Sequence, residues 1–387
     1  MRLLHTSDWH LGRSFHGVGM LEAQQLFVDQ LEKTVREEEV DVVLVSGDVY
    51  DRALPAVDVV ELFDETLERL TVAGARVVVS SGNHDSAVRL GFGGKLIERG
   101  GVHLRTRLED IARPALFQID GEAELAVYGL PYLEPRMVAD QLGCEAPTHT
   151  AVTAAALDRV REDLGRRRET RTVHSVVMAH TFTSGGVGSD SERELSMGNL
   201  GVVPLEVFSG FDYVALGHLH GRQRLADRIR YSGSPLPYSF SEASHTKGAW
   251  LIDLDVSGVT GIREVSWEPP KRLAILKGPI DELLETPVHR YAETAWCHIT
   301  LTDSERPRQA MERLRVRYPG ALVLAFEPAA GNDATRMTYS QRIAQAADDN
   351  AVCCGFLEHV RQRKADSAEA ALFAEMIDTM RAAESGS

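Results

Sequence analysis

Five short segments carry side chains able to hold metal ions. They are Ser7-Asp8-Trp9-His10, Gly47-Asp48-Val49-Tyr50-Asp51, Gly82-Asn83-His84-Asp85, Ala179-His180 and Gly217-His218-Leu219-His220. Their donors are carboxylate, carboxamide and imidazole, with no thiolate. Such a set favours manganese, magnesium or iron over a structural zinc site, with zinc still open. Asp8, His10, Asp48, Asn83, His180, His218 and His220 are seven potential ligands, too many for one catalytic ion that keeps open positions. They suit two ions sharing a carboxylate, and a pair about 3.5–4 Å apart clamps both oxygens of an in-line phosphoryl displacement. Singly, most segments are weak: Gly-Asp is a common turn, and either His218 or His220 could be a packed strand residue. Gly-Asn-His-Asp is sharper, because four such residues together have little packing use. The strength lies in all five occurring in this order.

Each segment follows an apolar run. Leu3–Leu4, Val42–Val45, Val77–Val79, Val176–Met178 and Val214–Leu216 read as strands covered on both faces. Ligands of open α/β sheets gather beyond the carboxyl ends of the strands, so these five would feed one rim. Glycines 47, 82 and 217 let the chain turn sharply and free the next side chain to point into the site. Between the strands, Val60, Phe63, Leu67 and Leu70 recur at the helical period. Val59 and Leu62 widen that stripe beyond one core contact, leaving room for a partner surface.

Glu268–Pro270 marks a boundary, since two prolines break any element there. Arg272–Lys277 and Ala295–Leu301 then read as strands, Arg306–Tyr318 as a helix and Ala321–Phe326 as a strand, making a small α/β unit. A third unit follows Gly331–Asn332–Asp333, with a short apolar face at Phe356, Leu357 and Val360. Asp366 and Glu369 form a capping box opening a helix striped by Leu372, Phe373, Met376, Ile377 and Met380. The expected division is 1–270, 271–330 and 331–387.

A chain of 387 residues, 43% hydrophobic and 26% charged, is globular and suits two or three domains. The net charge of −15 excludes a generic nucleic-acid binder but not a DNA substrate, because bound cations supply a local positive field. Arg166, Arg167, Arg168 and Arg171, and Arg306, Arg308, Arg313, Arg315 and Arg317, are basic stretches that suit a solvated face or a DNA contact. No apolar run is long enough to span a membrane, and MRLLHTSDWH turns polar too early for a signal peptide. Cys144, Cys297, Cys353 and Cys354 show neither zinc spacing nor a disulfide framework, which fits a reducing cytoplasm. The adjacent pair reads as two buried or half-buried thiols.

Asp-x-His, Gly-Asp-x-x-Asp, Gly-Asn-His-Asp, a later single His and Gly-His-x-His together resemble the calcineurin-like metallophosphoesterases. The resemblance implies a phosphoesterase sandwich of two mixed sheets flanked by helices, with a small α/β capping domain and a C-terminal helical tail. It implies two divalent ions: one on Asp8, His10, Asp48 and His220, the other on Asp48, Asn83, His180 and His218. His84 would face the phosphate as general acid, Asp51 would orient His84, and Asp85 would support the Asn83 loop. Position 85 is Asp where protein serine/threonine phosphatases carry Glu. The wording at Thr6–Arg13, Gly82–Ser86, Tyr231–Leu236 and Phe240–Glu242 is similar to that of the superfamily's DNA nuclease subunits that work with a coiled-coil ATPase.

That likeness implies a Mn²⁺-dependent nuclease serving DNA repair, recombination and replication. It would digest double-stranded ends from 3′ to 5′ and cut hairpins and single strands. It also implies a homodimer within a heterotetramer, with the tail docked on the ATPase. Arg13, His16 and Arg89 flank the metal loops and could meet the DNA backbone, as could the cap helix with Arg313 and Arg317; a plain solvated surface explains them equally well. The tail is short for this likeness, and Cys353–Cys354 has no place in its pattern. The alternative is a phosphodiesterase acting on small nucleotides, in which a cap and a tail have no evident use. A noncatalytic scaffold would show lost ligands, and none is missing.

Overall fold

The computed structural model describes residues 1–192, 201–328, 348–361 and 363–385. The chain forms two compact units, Met1–Glu327 and Pro328–Ser387. In the first, strands β1 (Arg2–Thr6), β2 (Val42–Ser46), β3 (Arg76–Ser80) and β4 (Val102–Arg105) run parallel. Next come β5 (Ala115–Ile119), β6 (Ala123–Gly129), β7 (Val173–His180), β8 (Tyr213–Gly217) and β9 (Ile229–Tyr231). With the two-residue edge strand Gln223–Arg224 they make a second six-stranded sheet. The hairpin of β10 (Gly248–Asp255) and β11 (Gly258–Ser266) then returns antiparallel to β1 and completes the first sheet, also six-stranded.

Period-two alternation sends every other residue of a central strand to each face, and here both faces are covered. On the first sheet, Leu4, Val43, Val45, Val77 and Val79 pack beneath helices α1 (Leu21–Glu37) and α2 (Val57–Val72). Leu3, Val42, Leu44 and Val78 turn inward against Leu125, Val127, Val176 and Met178 of the second sheet. Val177, Val214 and Leu216 meet α3 (Pro135–Leu142) and α4 (His149–Arg168) on the far side. Two mixed sheets between helical layers account for the unbroken apolar runs.

Three residues of the wide stripe on α2 serve the core and not the partner surface for which the stripe left room. Val59, Leu62 and Phe63 are each at most 5% exposed and belong to the core beneath the helices. Phe63 packs edge-on against Trp9 at 6.2 Å, and a Cβ at Gly12 would meet Val59 at 2.9 Å. The added width supports the first metal loop. Val57, Val60 and Val72 are the exposed valines of this helix.

Strands β12 (Leu273–Gly278), β13 (Trp296–Leu301) and β14 (Ala321–Phe326) form a parallel three-stranded sheet. Helices α5 (Ile280–Glu285) and α6 (Ala310–Arg317) cover Leu276 and Ile299, with Leu283, Leu314 and Tyr318 packed into the same core. Helix α6 starts later than its periodicity predicts, because Gln309 holds φ of 50° and Pro307 favours an extended residue before it. Trp296 stacks on Phe15 at 5.1 Å and His298 meets Phe240 edge-on, which fastens this sheet beside the metal loops.

In the second unit, α7 (Asp349–Arg361) packs with α8 (Ser367–Ser385). The capping box is reciprocal: Asp366 Oδ1 accepts from Glu369 N at 2.9 Å, and Asp366 N donates to Glu369 Oε2 at 3.0 Å. Leu372, Met376 and Met380 are more than half exposed. Cys353 and Cys354 are half-buried free thiols. Gly331–Asn332–Asp333 lies outside the described residues. No described helix is long and apolar enough to cross a membrane.

The burial pattern on α2 separates two substitutions. Leu62→Glu should lower stability by about 3–5 kcal/mol, the scale of an uncompensated buried charge. Val60→Glu, on the exposed side, should stay within about 0.5 kcal/mol. Denaturant unfolding measures both; equal effects would disprove the packing described for this helix.

Candidate metal centre

All five segments emerge at the carboxyl ends of β1, β2, β3, β7 and β8. The first two loops are laced together: Asp8 N donates to Gly47 O, His10 N to Asp48 O and Leu11 N to Val49 O, at 2.9–3.1 Å. Asp48 Oδ2 lies 3.6 Å from His10 Nε2 and 3.3 Å from His180 Nε2, so this one oxygen stands between two imidazoles. On one side His10 Nε2 faces His220 Nε2 at 3.1 Å, and both rings cluster with Asp8. On the other, His180 Nε2 is 3.0 Å from Asn83 Oδ1, and the His218 ring stands 5.3 Å from that of His180. All seven expected ligands are thus brought together.

Holding them there strains the backbone. Asp8, His10 and Asp48 adopt φ of 53°, 44° and 49°, and His218 reaches 110°. Non-glycine residues avoid this region, and where it recurs the surroundings must enforce it. Of the three glycines, Gly47 alone has a positive φ, 82°. Gly82 and Gly217 serve by close approach instead. A Cβ on Gly82 would collide with Asp48 Oδ1, and one on Gly217 with Ser46 O and His180 Nδ1. Asp85 latches two loops at once, its carboxylate accepting from Gly82 N at 2.9 Å, Val49 N at 3.1 Å and Tyr50 N at 2.9 Å.

The electrostatics call for cations. Burial pushes Asp8 up to about 6, against the opposing pull of His180 and His220. Burial also acts to raise Asp48, but His180, His10 and His84 outweigh it and keep that carboxylate well below its ordinary range. Burial would lower His180; Asp48 and Asp8 prevail and bring it to about 9. His10 and His218 are depressed by burial, to about 4 and 3. Two buried carboxylates among four neighbouring imidazoles therefore draw positive charge into the site, with His180 taking it up as a proton. Divalent cations supply that charge and displace ligand protons, and this oxygen and imidazole donor set fits them.

His84 lies on the wall of the cavity above these residues, about 660 Å³ in volume. Its Nδ1 donates to the main-chain carbonyl of Asp51 at 2.9 Å, and its own N–H donates to Asp48 Oδ1 at 2.9 Å. Asp51 thus reaches His84 through its backbone. Its carboxylate points elsewhere, 3.5 Å from His10 Nδ1 and 3.7 Å from Arg13. Arg13 lines the cavity and lies over the Tyr238 ring at 5.1 Å. His16 packs against Phe15 and Phe240, and Arg89 donates to Ala53 O at 3.1 Å; neither lines the cavity. Arg167, Arg168, Arg171, Arg313 and Arg317 are paired with Asp163, Asp212, Glu124, Asp281 and Glu293.

Three further residues complete the surroundings, of which Glu242 alone lies in a segment noted from the sequence. Glu192, buried in the cavity wall, accepts from His220 N and Ser189 N. Glu242 accepts from His220 Nδ1 at 3.3 Å and pairs with Lys247. Burial works to raise Glu242, but Lys247 and His220 outweigh it and keep it ionised. The sequence offers one clue, the Phe240–Glu242 wording that ends on this acid five residues before Lys247; nothing marks Glu192.

Comparison with known proteins agrees with this geometry. The calcineurin-like phosphoesterase profile matches residues 1–222, and the profile described as type 5 capsule protein repressor C-terminal domain matches 269–361. The SbcD subunit of the SbcCD nuclease from Staphylococcus epidermidis is 30% identical over 327 residues, covering 84% of this chain and 85% of that protein. Two solved structures are more distant, each with a TM-score of 0.39. TT1561 of Thermus thermophilus is 13% identical, covering 68% of this chain and 98% of its own. GAP50, the anchor in the inner membrane complex of Plasmodium, is 10% identical, covering 86% and 98%. A profile over more than half the chain and a relative matched along most of both lengths agree: the chain is a calcineurin-like phosphoesterase and belongs to the SbcD family of nuclease subunits.

Proposed function

We propose that this protein is the Mn²⁺-dependent DNA nuclease subunit of an SbcCD-type complex, working in the cytoplasm in DNA repair, recombination and replication. It digests double-stranded ends from 3′ to 5′ and cuts hairpins and single strands, together with an SbcC-type ATPase. The carrying observation is the cluster of Asp8, His10, Asp48, His180 and His220, whose ligand atoms gather in three metal-sized groups, beside an open cavity with His84 on its wall. The S. epidermidis relative, a nuclease subunit by name, supports a nucleic acid over a small nucleotide.

In this reading Asp8, His10, Asp48 and His220 hold one ion, and Asp48, Asn83, His180 and His218 hold the other. Bound divalent ions supply Lewis-acid activation of the phosphodiester and of the attacking water. The chain does the remaining work. Asp48 is fixed by the His84 N–H on one oxygen and offers the other between the two ligand groups. The carbonyl of Asp51 orients His84 through Nδ1 and leaves Nε2 for the cavity. When protonated, that nitrogen donates to the leaving oxygen, as general acid catalysis requires. Arg13 is the side chain best placed to meet the DNA backbone.

Residues 1–270 form the nuclease domain in this proposal, 271–330 the cap, and 331–387 the linker and tail. The protein acts as a homodimer within a heterotetramer.

Metal binding and chemistry separate by mutation. His84→Ala should keep both ions, measured by elemental analysis, while Mn²⁺-dependent cleavage of hairpin DNA falls about 10²–10⁴-fold. Asp48→Ala should lose metal and activity together. A metal-free or fully active His84→Ala variant would refute the assigned roles. Cleavage of a cyclic nucleotide but not of DNA by the wild type would refute the substrate.

The tail yields a second test. Leu372 and Met376 are exposed on one face of α8, the kind of face that packs into a partner's groove. Leu372→Glu with Met376→Glu should abolish copurification with the ATPase and leave unassisted single-strand cleavage unchanged. Retained copurification would remove this face from the interface.

A further inference from the structure

We propose that Glu242 and Lys247 form a buried clamp that fixes His220 as a metal ligand and ties the cavity wall at Ser191 to it. Glu242 is 1% exposed and Lys247 3%. Burying a carboxylate and an ammonium is unfavourable unless each finds strong partners, and here both find one on His220. Glu242 Oε1 accepts from His220 Nδ1 at 3.3 Å, from Ser191 Oγ at 2.9 Å and from Tyr238 N at 3.2 Å. Glu242 Oε2 takes Lys247 Nζ, whose other contacts are His220 O and Ser234 Oγ, both at 2.9 Å. Three donors on the ammonium meet three acceptors.

One member holds the ring of His220 and the other its main chain, so the ligand is gripped at two points. An ionised acceptor on Nδ1 also fixes the tautomer: the proton stays on Nδ1, and Nε2 presents its lone pair toward His10 Nε2 and the cluster. His180 is held differently, its Nδ1 donating to the neutral carbonyl of Ser46 at 2.9 Å. A carboxylate behind an imidazole makes it a stronger ligand than a carbonyl does, and loss of such a partner lowers metal affinity about 10–100-fold. The pair should therefore control the ion on the Asp8, His10 and His220 side and leave the other largely alone.

This inference rests on the two-ion reading, and Mn²⁺ titration of the full chain tests them separately. Calorimetry gives stoichiometry and affinity; electron paramagnetic resonance distinguishes a spin-coupled pair from a lone ion. The wild type should bind two Mn²⁺ as a coupled pair; binding of one would overturn the two-ion reading and the clamp with it. Glu242→Gln keeps shape but removes the charge. It should weaken one site about 10–100-fold, replacing the coupled signal by a mononuclear one at limiting Mn²⁺. The double variant Glu242→Gln/Lys247→Gln removes the unpaired ammonium and should show the same one-site loss. Two unchanged sites in both variants would overturn the clamp alone. Loss of cooperative thermal unfolding in both would also overturn it, by making the pair an element of the fold.

Discussion

Asp8 and Asp48 are buried together at the rim where the two sheets meet, and the rest of the site is organised around keeping them there. Each carboxylate needs a strong counterpart, and the chain supplies it by layers. His10, His180 and His220 face the carboxylates directly. Behind His220 stands Glu242, and behind Glu242 stands Lys247. Behind His180 is a main-chain carbonyl, and near His10 is the Asp51 carboxylate. The outward alternation of charge leaves one place short of positive charge, the centre of the cluster, where the ions would sit.

The same requirement explains the backbone. A carboxylate two residues beyond a strand would ordinarily point along the chain into solvent. Left-handed conformations at Asp8, His10 and Asp48 turn those side chains back over the sheet ends. Such conformations persist because the first two loops are laced by main-chain hydrogen bonds and the Asp48 loop is latched again by Asp85. Even α2 contributes, since Val59 and Phe63 close over the first loop, and a stripe wider than one core contact is what that closure needs. Stability in the helical layer is thereby coupled to geometry at the centre.

Much of this was legible in the sequence. The strand runs, the order of the ligand segments, the small parallel sheet and the capping box at Asp366 all depend on local pattern, and local pattern survives folding. What was not legible is what depends on side-chain direction. Asp51 reads as a partner for the His84 ring, yet it serves His84 by its carbonyl and turns its carboxylate to His10. Three glycines read alike, yet Gly82 and Gly217 are required by the closeness of Asp48 and His180 and not by a turn. The α2 stripe reads as a partner face because periodicity reports how much of a helix is apolar, not what covers it. Glu192 and Glu242 lie 28 and 22 residues from His220 along the chain, and no spacing rule reaches across such a separation.

The charge of the chain takes on a different meaning beside this geometry. A net charge of −15 opposes the approach of a polyanionic substrate, and the cavity sharpens the difficulty. Asp48, Asp51, Asp190 and Glu192 line it, against Arg13 as the one permanently cationic side chain among the described lining residues. Most arginines of the basic stretches are paired with the chain's own acids. Among the described lining residues acids outnumber that arginine, and bound divalent ions would supply positive charge where a phosphodiester approaches. For the proposed DNA substrate, metal loading would then aid binding as well as chemistry. Of the four lining acids Asp48 alone is an assigned ion ligand, so one carboxylate both holds the ions and, without them, adds to the negative charge that a phosphate meets.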